Sequence, residues 1–249
     1  MNMASEKEFL IIIPVFNEEK YINDVINKVK ENIDLATTDI VVIDDGSTNG
    51  TSQILKKIEK IKIITHPQNQ GYGKSLIDGF NYAIENGYKY VITMDCDKQH
   101  EPERIKNFIK VIKVKNIDIV SGSRYMDFKS EMISKVPQDR FKINRKITEK
   151  LNKITKYNLT DAFCGFKAYK ISALKKLNLT EPGYGMPIQL WIQAKINNLK
   201  IKEIPVDLIY LDCTRNFSNR FRSPAQRYRY YLKILYNELT MNKSLKDSI

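Results

Sequence analysis

The fold is decided by residues 9–47, which read FLIIIPVFNEEKYINDVINKVKENIDLATTDIVVIDDGS. The apolar run from Phe9 to Ile13 stops at Pro14, and a short run of this kind is typical of a strand buried on both faces. From Glu19 to Asn32 the apolar residues recur at the spacing of one helical face, which predicts a helix. A second buried strand follows at Ile40 to Ile43. This β-α-β order predicts a parallel sheet whose functional loops follow the carboxyl ends of the strands.

The same alternation continues through the first half of the chain. There the pattern predicts a helix at Ser52 to Lys60, a strand at Lys62 to Thr65, a helix at Gly71 to Asn86, a strand at Tyr90 to Met94, a helix at Glu103 to Val114 and a strand at Asp118 to Ser121. The second half is less regular. Its predicted helices are Asp139 to Thr155, Ile171 to Leu177, Ile188 to Asn197 and Pro224 to Leu239, and its predicted strands are Phe166 to Tyr169 and Ile201 to Tyr210. The predicted fold class is α/β, with a mostly parallel, Rossmann-like central sheet flanked by helices.

Length and composition favour a single domain over residues 1–249 and exclude several classes of protein. No apolar run is long enough to span a bilayer, and residues 1–8 lack the basic start and apolar core of a secretory signal. We therefore expect a cytoplasmic protein. The three cysteines are widely spaced, which argues against a disulfide framework or a zinc site.

The formal net charge of +12 would suit nucleic acid, an anionic membrane or a phosphate-bearing small molecule. Lysines are spread along the whole chain, and neither a zinc finger nor an RNA-binding signature is present. A solvated lysine-rich surface is the simpler interpretation, so we expect no nucleic-acid partner. A basic nucleic-acid-binding protein is the alternative, which salt-dependent binding would reveal.

Two acidic residues, Asp95 and Asp97, follow directly on the predicted strand from Tyr90 to Met94. Carboxylate oxygens suit Mg²⁺ or Mn²⁺, and such a metal usually binds one or two carboxylates together with substrate phosphates. A metal at this position would act as a Lewis acid and stabilise a diphosphate leaving group. An Asp-x-Asp triplet alone is a weak signal, and two solvated turn residues are the alternative.

Two further strand ends carry acids. Asp44-Asp45-Gly46-Ser47 follows the second strand, and Asn17-Glu18 follows the first strand shortly after Pro14. Helix capping is the alternative role for Asp45 and Ser47, since both suit the N-terminus of the next helix. Because acids occur on three adjacent loops, we interpret them as parts of one site.

Four motifs stand in order along the chain: Pro14-Val15-Phe16-Asn17-Glu18, Asp44-Asp45-Gly46-Ser47-Thr48, Asn69-Gln70-Gly71-Tyr72-Gly73 and Asp95-Cys96-Asp97-Lys98-Gln99-His100. In this order they resemble glycosyltransferase family 2, and within it the polyprenyl-phosphate sugar synthases such as dolichol-phosphate mannose synthase. The resemblance implies a GT-A fold, an inverting transfer, a UDP- or GDP-sugar donor, and Mg²⁺ or Mn²⁺. It implies a nucleotide-sugar-binding half at about residues 9–125, and an acceptor-side half with the C-terminal helix at about residues 126–240.

Site residues follow from the resemblance position by position. The residues that it places at the donor nucleotide are Pro14, Phe16, Glu18, Ile43 and Asp45. Those that it places at the rest of the donor are Asp95, Cys96 and Arg124, and it makes Asp97 and Gln99 the metal ligands. Arg124, in Gly122-Ser123-Arg124-Tyr125, is also a catalytic candidate, because a planar guanidinium donates to phosphate oxygens in pairs. A structural arginine at a strand end is the alternative.

The segment Asp161-Ala162-Phe163-Cys164-Gly165-Phe166-Lys167 resembles the family's acceptor-side motif. Asp161 is the second catalytic candidate. With a saccharide hydroxyl as acceptor, Asp161 would act as a general base. With polyprenyl phosphate as acceptor, the nucleophile is already anionic and Asp161 would only position it. A turn residue without a catalytic role is the third interpretation.

Two segments depart from the family pattern. Gln189 stands where related enzymes usually carry a glutamate, and a neutral amide cannot act as a base. Residues 215–220, RNFSNR, resemble only loosely the family loop that closes on the donor phosphates, where Arg215 and Arg220 would bind the diphosphate. A solvated basic loop is the alternative. These departures leave a catalytically inert nucleotide-sugar-binding or scaffold protein as the alternative function.

An amphipathic pattern in the predicted helix from Asp139 to Thr155 bears on membrane contact. Its apolar stripe consists of Ile143, Ile147, Leu151 and Ile154, and many of its other positions are basic. Such a helix suits the surface of an anionic bilayer, so a peripheral membrane contact is one interpretation. An ordinary helix that packs on the core has the same pattern, and we favour that interpretation.

Overall fold

The computed structural model describes residues 7–127, 136–209 and 223–242. Within these residues one sheet contains seven strands in the order β3-β2-β1-β4-β6-β5-β7. The strands are β1 (Phe9–Val15), β2 (Thr38–Asp44), β3 (Lys62–Thr65), β4 (Tyr90–Thr93), β5 (Ile119–Ser123), β6 (Lys167–Lys170) and β7 (Ile201–Pro205). The predicted α/β class and mostly parallel sheet are confirmed.

Helices connect the strands and cover the sheet. They are α1 (Ile22–Glu31), α2 (Thr51–Leu55), α3 (Tyr72–Glu85), α4 (Ile105–Ile112), α5 (Gln138–Thr155), α6 (Ile171–Leu174), α7 (Met186–Ile196) and α8 (Pro224–Met241). A short 3₁₀ turn, Pro102–Arg104, precedes α4.

Strands β1 to β4 form the parallel part of the sheet, with β1 between β2 and β4 and with β3 beside β2. Successive side chains of a strand point to opposite faces, so a strand covered on both sides needs a continuous apolar run. In β1, Leu10 and Ile12 pack in the core layer that contains α3, whereas Ile11 and Ile13 pack in the layer that contains α1. The parallel register places the loops that follow β1, β2 and β4 at one edge of the sheet.

One strand runs against its neighbours. β6 lies between β4 and β5 and is antiparallel to both, whereas β5 and β7 are parallel. The amino end of β6 therefore lies at the edge where β4 and β5 end. This direction brings residues 160–166, which precede β6, to the same edge as the acid-bearing loops.

Two predicted boundaries are wrong. The helix expected at Ser52 to Lys60 spans only Thr51–Leu55. The next backbone N–H groups, those of Lys57 and Ile58, donate to the carbonyl oxygens three residues earlier, and Lys60 has a left-handed φ of 57°. The strand expected at Ile201 to Tyr210 ends at Pro205, because a proline nitrogen has no hydrogen to donate to a neighbouring strand. The last residue of that predicted strand lies outside the described residues.

The apolar stripe of α5 packs in the core and is not available to a bilayer. Ile143, Ile147, Leu151 and Ile154 are all buried, and α5 packs against α7 and α8. The core-facing interpretation of this helix is therefore confirmed. No helix in the part of the chain that the structure describes has the length and apolar character needed to cross a membrane.

Candidate active site

The candidate site begins where the loops after β1 and β2 are joined. The backbone N–H of Asn17 donates to Ser47 Oγ at 3.0 Å, and the backbone N–H of Thr48 donates to Asn17 Oδ1 at 2.8 Å. Asn17 has a left-handed φ of 59°, a conformation in which asparagine is enriched. The first and second motifs therefore form one hydrogen-bonded unit at the edge of the sheet.

The carboxylate of Asp45 joins the second motif to the third. Its Oδ1 accepts from the backbone N–H of Gln70 at 2.8 Å, and its Oδ2 accepts from the backbone N–H of Gly71 at 2.9 Å. His66 Nδ1 lies 2.7 Å from Asp45 Oδ1. The residue is almost completely buried, and its bonds to Gln70 and Gly71 hold the turn that begins α3.

The helix-capping alternative for this loop is wrong. The N-cap residue of α2 is Gly50, and the first N–H of the helix, that of Thr51, donates to Asn49 Oδ1 at 3.1 Å. Ser47 Oγ is bonded to the first motif, and Asp45 is bonded to the third. The neighbouring Asp44 accepts from the backbone N–H of Ser47 at 3.0 Å and from Ser52 Oγ at 2.5 Å, which shapes the loop from within.

The third motif packs against the second half of the chain. Gly71 has a φ of 108°, which disfavours a side chain, and a Cβ at this position would lie 2.4 Å from the carbonyl oxygen of Pro182. One turn later, the backbone N–H of Lys74 donates to that same oxygen at 3.0 Å. Glycine is therefore required at residue 71 because two backbone segments meet there.

Asp95 lies where three predicted motifs meet. The hydroxyl of Tyr72 donates to Asp95 Oδ1 at 3.0 Å, and the Tyr72 ring stacks on Tyr184 with ring centroids 5.6 Å apart. Burial and the adjacent Asp95 raise the pKa of Tyr72 well above its usual value, so its hydroxyl keeps the proton that it donates. A Cβ on Gly165 would lie 2.5 Å from Asp95 Oδ2. We call residues 95–100, which contain the predicted metal ligands, the metal motif. The acceptor-side motif, residues 161–167, thus approaches the metal motif through Gly165.

His100 supports this loop from below as a neutral ring. It is buried, and its Nδ1 accepts from the backbone N–H of Asp95 at 3.0 Å. Burial lowers the pKa of His100 to about 4, which agrees with an unprotonated Nδ1. Its ring also packs against Phe166, with centroids 5.3 Å apart. Sequence reasoning assigned no role to His100, although it closes the motif that contains the predicted ligands.

The two predicted metal ligands share one turn. The backbone N–H of Gln99 donates to Asp97 Oδ1 at 3.1 Å, and both residues are partly exposed. Carboxylate and amide oxygens form the donor set that a hard divalent cation prefers, so these residues fit Mg²⁺ or Mn²⁺. Within the described ranges, no cluster of three or more His, Cys, Asp or Glu side chains is arranged to hold a metal ion.

Arg124 and Asp161, the two catalytic candidates, form one ion pair. Arg124 Nε donates to Asp161 Oδ2 at 2.6 Å, and Arg124 Nη2 donates to Asp161 Oδ1 at 2.9 Å. The Asp161 side chain is fully buried, and that of Arg124 is 14% exposed. Burial alone would raise the pKa of Asp161, but the Arg124 guanidinium holds this pKa below its usual value. Asp161 is therefore ionised and has both oxygens bonded to Arg124.

Glu203 fixes the turn that carries Asp161, and sequence reasoning missed it. Its Oε1 accepts from the backbone N–H of Asp161 at 3.1 Å, and its Oε2 accepts from the backbone N–H and the hydroxyl of Thr160 at 2.7 and 2.8 Å. Burial raises the pKa of Glu203. The sequence shows only that an acid lies among the apolar residues of β7, and the pattern does not show its distant partner.

A second buried cation lies behind this loop. The ammonium of Lys167 donates to the carbonyl oxygen of Cys164 and lies 5.5 Å from the centroid of the Trp191 ring. Trp191 Nε1 in turn donates to the carbonyl oxygen of Ala162 at 2.9 Å. Burial lowers the pKa of Lys167. Together Lys167 and Trp191 hold the backbone between Asp161 and β6 in place.

Gln189 is a structural residue in this molecule. Its Oε1 accepts from the backbone N–H groups of Thr180 and Glu181 at 2.7 and 2.9 Å. Its Nε2 donates to Thr180 Oγ1 at 3.0 Å and to Glu238 Oε1 in α8 at 2.6 Å. An ionised glutamate could not make the contact with Glu238, because a carboxylate only accepts hydrogen bonds. The departure from the family pattern is therefore explained by the packing of α8 on α7.

The other predicted donor residues differ in exposure. Pro14 is partly buried, Phe16 is 42% exposed and Glu18 is buried at the start of the loop that leads to α1. The side chains of Ile43 and Cys96 pack in the two core layers. The two arginines of the late loop, Arg215 and Arg220, lie outside the described residues.

Comparison with known proteins agrees with this geometry. The family model "Glycosyl transferase family 2" matches residues 10–178. The chain belongs to this family. A UDP-N-acetylglucosamine–dolichyl-phosphate N-acetylglucosaminyltransferase of Methanococcus voltae is 32% identical over 227 residues, which cover 84% of this chain and 88% of the relative. A polyprenol monophosphomannose synthase of Mycolicibacterium smegmatis is 24% identical over 205 residues, 79% of this chain and 76% of the relative.

Solved structures of another protein have a similar fold. Glucosyl-3-phosphoglycerate synthase of Mycobacterium tuberculosis, in complex with Mn²⁺, UDP and phosphoglyceric acid, superposes with a TM-score of 0.68 and 17% identity. The match covers 94% of this chain and 78% of the synthase. A further structure of that synthase holds Mg²⁺ and UDP. The predicted GT-A fold is thereby confirmed.

We expect Arg124→Ala to lower the free energy of unfolding by about 3–5 kcal/mol, because it leaves the Asp161 carboxylate buried without its partner. Urea denaturation of the apo protein measures this loss. Arg145→Ala is the matched control. Both side chains of the Arg145–Glu149 pair are exposed, so the pair contributes at most about 1 kcal/mol to the free energy of unfolding. Equal losses in the two variants would contradict a structural role for the buried pair.

We expect Gln189→Glu, which introduces the family's usual residue, to destabilise the protein by about 1–3 kcal/mol at pH 7.5. The variant removes the amide that donates to Glu238 and places a second carboxylate against it. The double variant Gln189→Glu/Glu238→Gln restores one donor between the two side chains and should recover most of the loss. Thermal unfolding of the three proteins measures this effect, and a Gln189→Glu variant as stable as wild type would refute the structural role of the Gln189–Glu238 hydrogen bond.

Proposed function

We propose that this protein is an inverting, metal-dependent glycosyltransferase that moves a sugar from a UDP- or GDP-sugar to a phosphate-bearing acceptor, with polyprenyl phosphate as the preferred class. The supporting observation is that the metal motif, the third motif and the acceptor-side motif are in contact at Asp95. In this proposal about residues 9–125 bind the donor, and about residues 126–240 form the acceptor side.

The donor would lie across the loops after β1, β2 and β4. Asp45 forms the floor under the nucleoside, and the exposed ring of Phe16 offers an apolar surface beside it. Asp97 and Gln99 would hold Mg²⁺ or Mn²⁺ against the diphosphate, and a metal bound there stabilises negative charge on the leaving nucleoside diphosphate. The arginines Arg215 and Arg220 stay predicted diphosphate contacts.

Transfer with inversion needs one displacement. An acceptor oxygen forms the new bond to the anomeric carbon, while the bond from that carbon to the donor phosphate breaks and its electron pair leaves with the nucleoside diphosphate. The Arg124 side chain is 14% exposed and is fixed by Asp161, so it would bind anionic oxygens in a defined orientation. Asp161 acts here as the positioning residue of Arg124.

The side chains that would have to take a proton support a phosphate as the acceptor. A hydroxyl acceptor needs a general base within hydrogen-bond reach. Asp161 is ionised but has both oxygens bonded to Arg124, and Gln189 is a neutral amide occupied in packing. A phosphate acceptor is already anionic and needs no such base. The names of two relatives, a dolichyl-phosphate transferase and a polyprenol monophosphomannose synthase, support the same class.

A lipid-linked acceptor would bring the protein to a membrane surface, which agrees with a cytoplasmic protein that binds membranes peripherally. The contact would be electrostatic, because the apolar stripe of α5 is buried. Its outward face carries the exposed basic side chains Lys142, Arg145, Lys146 and Lys153. Such residues attract anionic headgroups, each by about 1 kcal/mol near the surface.

We expect one nucleotide sugar from a panel of UDP-, GDP- and dTDP-sugars to raise the melting temperature in the presence of Mn²⁺ and not in the presence of EDTA, because ligand binding to the folded state stabilises it. Asp97→Ala should abolish this metal-dependent shift and the transfer reaction while the apo melting temperature stays unchanged. Glu103→Ala, which removes an exposed acid a few residues away, is the matched control. An Asp97→Ala variant with full activity would remove the metal assignment, and metal-independent binding without any transfer would favour an inert binding or scaffold protein.

We expect sugar transfer from the donor so identified to a short-chain polyprenyl phosphate, and no transfer to the matching polyprenol or to a free saccharide. The polyprenol isolates the effect of the phosphate, since it has the same apolar chain but requires deprotonation. Chromatography of a radiolabelled reaction measures the product, with the Asp97→Ala protein as a blank. Glycosylation of the saccharide instead would contradict a phosphate acceptor and would require a base that this proposal lacks.

A further inference from the structure

His66 connects two acidic groups that the reaction scheme does not use together. It follows β3, and its backbone N–H donates to the carbonyl oxygen of Asp44 at 2.9 Å, which fixes the residue beside the end of β2. Nδ1 lies 2.7 Å from Asp45 Oδ1, and Nε2 lies 2.9 Å from Asp78 Oδ2 in α3. The ring is buried, with 6% of the side chain exposed.

The far side of this bridge is anchored on α3. Asp78 is bonded to His66 through Oδ2 and to the ammonium of Lys74 through Oδ1, at 2.5 Å. Lys74 belongs to the first turn of α3, whose start is held by Asp45 through Gly71. The imidazole therefore closes a ring of contacts between the end of β2 and the first two turns of α3.

Asp45 has little freedom once these bonds are made. A carboxylate offers about four acceptor positions, and His66, Gln70 and Gly71 occupy three of them. Two of these contacts lie on Oδ1 and one on Oδ2, so the remaining acceptor position belongs to Oδ2. An N–H or O–H of a nucleoside would meet this position only if the carboxylate stays in its present rotamer.

We propose that His66 is a positioning residue for the donor, which acts through Asp45 by fixing the orientation of the carboxylate that meets the nucleoside. This inference rests on the proposed function, since it requires that Asp45 forms part of a nucleotide-sugar site. The contact that matters is Nδ1 to Asp45. The contact of Nε2 with Asp78 anchors the ring and does not touch the donor site.

Two amide variants separate these contacts. The amide nitrogen of an asparagine occupies nearly the position of histidine Nδ1, whereas that of a glutamine occupies nearly the position of Nε2. His66→Asn therefore keeps a donor toward Asp45 and loses Asp78, and His66→Gln keeps a donor toward Asp78 and loses Asp45. Lys62→Ala removes an exposed side chain of β3, the strand that precedes His66, and is the surface control.

The experiment measures the affinity of all four proteins for the nucleotide sugar found in the panel, together with kcat, KM and the apo melting temperature. We expect His66→Gln to weaken donor binding and raise the donor KM about tenfold, the effect of about one hydrogen bond, with kcat changed less than threefold. His66→Asn should recover most of the affinity at a similar melting temperature.

Equal weakening in both amide variants, or weakening that follows the melting temperature alone, would overturn the inference and leave His66 as a packing residue. Unchanged donor affinity in His66→Gln would overturn it as well. If wild-type protein bound no nucleotide sugar, both the proposed function and this inference would fall. If wild type bound the nucleotide sugar and all variants bound it with the same affinity, only this inference would fall.

Discussion

The direction of β6 is the constraint on which the site depends. Because β6 is antiparallel to β4 and β5, the turn that precedes it lies where those two strands end. Gly165 can then approach Asp95, and Asp161 can reach Arg124 at the end of β5. If β6 ran parallel to its neighbours, the acceptor-side motif would lie at the opposite edge of the sheet, about the length of a strand away from the metal motif.

Charges buried at this edge are fixed by partners drawn from distant parts of the chain. Moving an ion out of water costs several kcal/mol, and only good geometry with additional hydrogen bonds offsets that cost. Asp161 has two bonds from Arg124, Glu203 has three bonds from the turn at residues 160–161, and Lys167 lies between a carbonyl oxygen and an indole ring. Such pairs are weak evidence for stability. In the proposed reaction, the pair with Asp161 would hold the Arg124 guanidinium in one orientation.

The sequence was sufficient for features that local pattern determines. Continuous apolar runs identify β1 and β2, and the acids that follow them occur at strand ends because parallel strands place their loops together. The direction of β6 was not predictable, since a four-residue strand has the same pattern in either direction. The roles of His66 and Glu203 were missed for a related reason: their partners lie far along the chain, and only the folded sheet brings these residues together.

The proposed reaction explains both why residue 189 is a neutral amide and why Asp161 is paired with Arg124. An enzyme that deprotonates a hydroxyl must keep one carboxylate free at the acceptor, and such a group cannot also be fully occupied in packing. An acceptor that carries its own negative charge removes this requirement. Position 189 is then free to serve the interface of α7 and α8, where an amide is the better residue because it donates to Glu238 and accepts from two backbone N–H groups at once. The same freedom lets Asp161 remain bonded to Arg124 throughout the transfer, so that the guanidinium, and not a base, is what this part of the site presents to the acceptor.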